Sequence, residues 1–276
     1  MDDPHFAAYS FVDRIVEFDS GRHARGTFAI PASIDRFPSS LVAEAIGQLA
    51  AWCAMDAIGF RGRPVAALAT ETRFYADARP GDTLDLVADL FACDDEAVAY
   101  NGHASVNGVR VVELADCLGP MLPVADFDDP DALRARLAVL RDGGAVPGRF
   151  AGVGDIPVDV VHRVAGSELR ARVDVPAAAP FFGDHFPRRA VFPATLLLDT
   201  QIRLALELAR DAATGGHAPR PSRVTHVKMR SFIVPSQKLD IDVRLGAPEN
   251  GIAKATMSAK TGERTVASAR LEVTCS

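Results

Sequence analysis

Glu44 and Gln48 stand four residues apart in a run from Pro38 to Met55 that is apolar nearly all round, through Leu41, Val42, Ile46, Leu49, Trp52 and Met55. Such a run reads as a buried helix, and the spacing puts both polar side chains on one face. An ionised carboxylate is costly to bury unless it is paired, hydrogen-bonded or neutralised. Either that face reaches solvent at an edge, or Glu44 is kept for chemistry. A second run, Pro193 to Arg203, carries Asp199 at the matching place and Arg203 where the first has Gln48. His185 lies just ahead of the second run, and the first run has no histidine in the corresponding place. With an unperturbed pKa of about 6.5, an imidazole can take up a proton near neutral pH. One complete set of groups can therefore be assembled from this chain, not two.

The elements that must position these groups are repeated. Both runs open on a proline, a helix start signal. Pro38, Glu44, Pro80, Leu84 and Leu90 recur as Pro193, Asp199, Pro235, Leu239 and Leu245, all at a spacing of 155. Upstream, hairpin patterns turning near Gly21 and Gly166 and ending at Pro31 and Pro176 recur at 145. The difference is an extra loop in the second copy, residues 177–192, and it contains His185. Downstream, alternating runs at 97–118 and 252–273 are split by Asn107-Gly108 and Thr261-Gly262, which suit hairpin turns. Each copy is thus expected to hold two strands, one long helix and about four strands. Between the copies, residues 122–154 read as a linker with a short surface helix at 132–141. The expected units are 1–121, the linker 122–154, and 155–276.

A length of 276 residues fits two such units, and 48% hydrophobic with 24% charged residues argues against a disordered or disulfide-stapled chain. Thirty Lys and Arg against 36 Asp and Glu give a formal charge of −6, which speaks against nucleic acid as a partner. The four cysteines have no metal-ligand spacing and read as reduced, buried thiols, so no metal is expected. Histidines 5, 23, 103, 162, 217 and 226 show no ligand spacing and read as structural. There is no uninterrupted apolar run of about 18 residues and no apolar segment near Met1, so the expectation is no membrane span and a cytoplasmic location.

The run Phe181-Phe182-Gly183-Asp184-His185-Phe186-Pro187, followed by Val191-Phe192-Pro193, Leu196 and Asp199, resembles the FabA/FabZ-like 3-hydroxyacyl-ACP dehydratases of fatty-acid synthesis. Their pattern is HFPGxPVxPGxL followed by Glu or Asp. Arg79 to Asp82 resembles a downstream segment of the same family, and Glu44 to Gln48 resembles its carboxylate helix. Arg188, Ala190 and Ala194 stand where the pattern has glycine, proline and glycine. The resemblance implies an α+β double hot-dog, with two antiparallel sheets each wrapped round a long helix to form a pseudodimer. It also implies a site between the units that pairs the histidine of one with the carboxylate of the other. That rule pairs His185 with Glu44 and leaves Asp199 in a vestigial second site.

On this reading His185 takes the C2 proton of a 3-hydroxyacyl thioester. Glu44, its pKa raised by an apolar setting, protonates the departing hydroxyl, and Gln48 orients it. The backbone amide of Ala194, at a helix start, would polarise the thioester oxygen. No cofactor is called for. The substrate would be carried by acyl carrier protein or coenzyme A, with Arg188 and Arg189 meeting phosphopantetheine or acidic carrier groups. Two other readings stay open: a hot-dog thioesterase, which would activate water with a carboxylate, and a non-catalytic acyl-thioester-binding partner subunit. A monomeric pseudodimer and a homodimer are both allowed.

Overall fold

The computed structural model describes residues 5–65, 68–154, 156–212 and 218–275; residue 155, where the second unit is expected to begin, and His217 lie outside them. The first half carries β1 (Arg14–Asp19), β2 (His23–Ala29), α1 (Ser39–Ala57), β3 (Gly62–Pro64), β4 (Leu68–Phe74), β5 (Thr83–Cys93), β6 (Ala97–Val106) and β7 (Val109–Pro123). Helix α2 (Pro130–Asp142) follows. The second half carries β8 (Val158–Val164), β9 (Glu168–Asp174), α3 (Ala194–Ala212), β10 (Arg220–Met229), β11 (Lys238–Leu245), β12 (Ile252–Thr261) and β13 (Arg264–Thr274). Both long helices start on the residue after a proline, which lacks an N–H that the first turn would leave unpaired anyway. The repeat appears in the bounds themselves: α1 and α3, and likewise β6 and β12, are offset by 155 at both ends, and β2 and β9 by 145. The first half has one strand more than expected, the short β3, which pairs with β7.

The strands form a single antiparallel sheet in the order β1-β2-β5-β6-β7-β4-β10-β13-β12-β11-β9-β8. The halves meet at β4 and β10, where Arg73, Thr72 and Glu71 pair with Arg223, Val224 and Thr225. The two sheets expected are thus one continuous sheet, because β4 and β10 hydrogen-bond across the halves; each half of it wraps round its own long helix, and α1 and α3 also pack on each other. Strand alternation explains the wrapping, because Leu84, Leu86 and Ala88 of β5 turn inward and are fully buried, as are Ile46 and Leu49 of α1.

Helix and sheet approach closely at Gly102, where an added Cβ would sit 2.4 Å from Ile46 Cγ2 and 2.8 Å from the Val87 carbonyl oxygen. Gly102→Ala is therefore expected to destabilise the fold by about 1–3 kcal/mol, read as a lower urea midpoint. An unchanged midpoint would show that the helix can back away freely.

Helix α2 falls within the stretch read as a linker, at Pro130–Asp142 where 132–141 was expected. Asp129 caps α2 by accepting from the Asp131 and Ala132 amides at 2.9 and 3.3 Å, and the helix lies on the surface with one face packed inward. Leu133, Leu137 and Leu140 form a buried stripe at helical spacing, and Phe127 and Asp128 ahead of it are buried too. The four cysteines are free; Cys53 and Cys117 are buried, while Cys93 and Cys275 are only half-buried. Among the described residues no helix is long and apolar enough to cross a membrane.

Candidate active site

The extra loop of the second half reaches across to the first half and is held there by one carboxylate. Asp184 accepts hydrogen bonds from the amides of Phe6, Ala8 (2.9 Å) and Tyr9 (2.7 Å) and from the Ser10 hydroxyl (3.2 Å). This turns residues 5–11 into a strap lying between the halves. The strap is tied in turn to α1: Gln48 Nε2 donates to the Tyr9 carbonyl at 2.9 Å, and the Phe11 amide donates to Gln48 Oε1 at 2.8 Å. The same Nε2 donates to Glu44 Oε1 at 3.1 Å. The other carboxylate oxygen of Glu44 accepts from the Thr195 hydroxyl, in the first turn of α3, at 2.9 Å. Tyr9 completes the chain, its hydroxyl 2.7 Å from Thr195 Oγ1. Glu44 is thus bonded by its own helix on one side and by the opposite half on the other.

His185 lies beside this chain, with Tyr9 edge-on to its ring at a centroid distance of 5.6 Å. Its Nδ1 is 2.8 Å from the Val191 carbonyl oxygen, which can only accept, so Nδ1 carries the hydrogen and Nε2 keeps its lone pair. Burial lowers the His185 pKa below 6.5, against the opposing pull of Glu44 and the Val191 carbonyl, and nearby Arg63 lowers it further. A neutral imidazole is the result at neutral pH. Glu44, Gln48, His185, Ala194 and Thr195 all line one cavity of about 440 Å³, which continues along α1 past Trp52 and Met55. Ala194 is the first residue of α3, so its amide has no acceptor within the helix, and the positive end of the helix dipole is directed there.

The remaining predicted residues lie elsewhere. Asp199 is buried and held by Arg36 in a two-pronged pair, Nη1 to Oδ1 at 3.1 Å and Nη2 to Oδ2 at 2.7 Å, with Arg203 Nε at 3.4 Å. Arg36 sits in the short connection of the first half, where the second half has its histidine loop. Arg188 is turned onto the linker, donating to the Ala125 carbonyl at 3.1 Å and to Asp129 at 3.0 Å. Arg189 stacks over Phe232 and Phe127 at 4.8 and 5.5 Å.

Sequence reasoning missed Tyr9, Thr195 and a charged chain behind the loop. Arg63, over the ring of Phe186, donates to Asp128 at 2.7 Å, and His5 lies between Asp128 (3.3 Å) and Asp184 (3.2 Å). Burial would lower the His5 pKa, but the hydrogen bonds to the two carboxylates prevail and raise it to about 9. The cationic form is therefore favoured by folding. Its contribution is complete below about pH 6.5 and is lost as pH rises towards about 9. The thermal midpoint is expected to fall across that window in the native chain but not in His5→Gln, and parallel pH profiles for the two would contradict it.

These elements define a hot-dog fold, and comparison with known proteins agrees. A conserved hot-dog protein from Alicyclobacillus acidocaldarius superposes with a TM-score of 0.54 at 14% identity, covering 98% of this chain and 97% of its own. A 12:0-ACP thioesterase from Umbellularia californica does so at 0.52 and 12%, covering 99% and 97%. At such identities the likeness is one of fold. The family model for the ApeI-like proteins (ApeI dehydratase) matches residues 161–270. The 3-hydroxyacyl-[acyl-carrier-protein] dehydratase FabZ of Tolumonas auensis is 32% identical over 121 residues, 41% of this chain and 78% of that protein. The FabZ of Bacillus subtilis is 30% identical over 129 residues, 42% of this chain and 92% of that protein. The chain belongs to the FabZ-like dehydratase family.

Proposed function

We propose that the chain is a pseudodimer of two hot-dog units, residues 1–121 and 155–276 joined by 122–154, and that it removes water from a 3-hydroxyacyl thioester at one site between them. The observation that carries this reading is the meeting of His185 from one half and Glu44 from the other at a cavity that also receives the N-terminus of α3.

His185 Nε2 takes the C2 proton, the C2–H electron pair becomes the C2=C3 bond, and the C3–O bond breaks. Glu44 supplies the proton with which the hydroxyl leaves as water. The Ala194 amide, with the helix dipole behind it, stabilises the negative charge that grows on the thioester oxygen. The Tyr9–Thr195–Glu44 chain suits both protonation states of the acid. Thr195 donates to the carboxylate as found; with the hydroxyls turned, it accepts from protonated Glu44 and donates to Tyr9. Gln48 fixes the carboxyl through its tie to the strap. Asp199, consumed by Arg36 and Arg203, takes no part.

The substrate is a thioester of acyl carrier protein or coenzyme A. Incubation with a 3-hydroxyacyl pantetheine thioester is expected to give a product one water lighter with the thioester intact, read by mass spectrometry. Release of free thiol would favour hydrolysis; binding without conversion would favour a non-catalytic partner subunit.

A further inference from the structure

On the outer face of the second half's sheet, β10, β13, β12 and β11 present a floor of hydroxyls. Cross-strand register sets Lys228 beside Ser268, Ser258 and Asp242 in one row, and Arg270 beside Thr256 and Arg244 in the next. Around the floor stand Lys228, Arg230, Arg244, Lys260 and Arg270, walling a groove of about 470 Å³. Among the described residues none of these five cations is ion-paired; the Arg230 guanidinium donates to the Ser268 hydroxyl at 3.0 Å. Among the described residues Asp242 is the single carboxylate in the groove. Five positive charges against one negative is a marked concentration in a chain whose formal charge is −6. Arg230 also lines the catalytic cavity, so groove and cavity meet at that residue.

We propose that this groove holds the 3′-phospho-ADP end of coenzyme A, with the pantetheine arm passing Arg230 to bring the acyl group into the cavity. The acyl half of this inference rests on the dehydratase reading above. A 3′-monoester and a diphosphate together carry about four negative charges, which the groove's net charge balances. Its volume is on the scale of small-molecule pockets, about 300–1,000 Å³. Seryl and threonyl hydroxyls at the bottom of a cationic groove can donate to phosphate oxygens, whereas an acidic protein surface would meet the rim and leave them unused. Arg188 and Arg189, within the histidine loop, are already engaged with the linker and with Phe127 and Phe232.

The test is calorimetric titration of the full chain with 3′,5′-adenosine diphosphate, set beside kinetics on three forms of one 3-hydroxyacyl thioester: coenzyme A, carrier protein and bare pantetheine. The triple variant Arg244→Glu/Lys260→Glu/Arg270→Glu is expected to weaken nucleotide binding at least about tenfold. It should raise KM for the coenzyme A thioester similarly, with kcat kept and the pantetheine rate unchanged. Native binding should also weaken with added salt. Should the triple variant not fold, Arg244→Gln/Arg270→Gln gives the same readout with a smaller change. The inference is overturned if the nucleotide does not bind, if it binds native and variant alike, or if only the carrier-protein thioester responds, which would make the groove a seat for an acidic carrier domain. Nucleotide binding that is lost in the variant, with no thioester dehydrated, keeps the groove and removes the dehydratase reading. Dehydration with a KM indifferent to the variant does the reverse.

Discussion

His185→Ala is expected to lower kcat about 10²–10⁴-fold, the range associated with loss of a positioned general base, while the chain stays folded. The Val191 carbonyl loses its partner, at a cost of about 1 kcal/mol, which a domain of this size can absorb. The native pH profile should carry the same signature. Because burial holds the imidazole below its ordinary value of 6.5, kcat/KM should fall on the acid side only as pH drops below that value. Turnover within about tenfold of native in the alanine variant, or an acid limb above pH 6.5, would remove His185 from the role of base.

Asp184→Ala should have the largest effect on stability. The side chain is 2% exposed and accepts from three strap amides and a hydroxyl, all of which lose their acceptor together. Burial favours its neutral form, but the hydrogen bonds from His5, Tyr9 and Phe6 prevail and hold the carboxyl below its ordinary value. With about 1–3 kcal/mol for each stranded buried group, and some amides rescued by water, a loss of about 3 kcal/mol or more is expected by chemical denaturation. Activity should fall further than stability explains, since the strap carries Tyr9 and the backbone groups that hold Gln48. A loss below about 1 kcal/mol would mean that the strap is anchored by other contacts.

What could be read from the sequence was what is local or repeated. The spacing of 155 located the start of both helices to within one residue, because proline fixes a helix start and the repeat states it twice, while their ends at Ala57 and Ala212 carried no such signal. Glu44 and Gln48 were visible as polar positions in an otherwise apolar helix, and the surplus loop singled out His185. The Tyr9–Thr195–Glu44 chain was not visible, because it joins residues about 150 or more positions apart and no periodicity marks an irregular segment such as 5–11. The His5–Asp128–Arg63 chain escaped for the same reason. Helix α2 was legible at 132–141, inside its actual Pro130–Asp142, and Leu133, Leu137 and Leu140 stood at the spacing of the stripe it buries. Arg188 shows the converse difficulty: a charge in a sequence says nothing about the partner it finds, here the linker itself.

The most direct test of a single site shared between the halves is to measure dehydration by Glu44→Gln and Asp199→Asn side by side on the same thioester. Glu44→Gln is expected to lose at least about 100-fold in kcat, while Asp199→Asn, which disturbs only a pair with half-exposed arginines, stays within about threefold of native. Abolished turnover in Asp199→Asn with an active Glu44→Gln would contradict this expectation, and would place the chemistry at the carboxylate nearer to His185 in sequence.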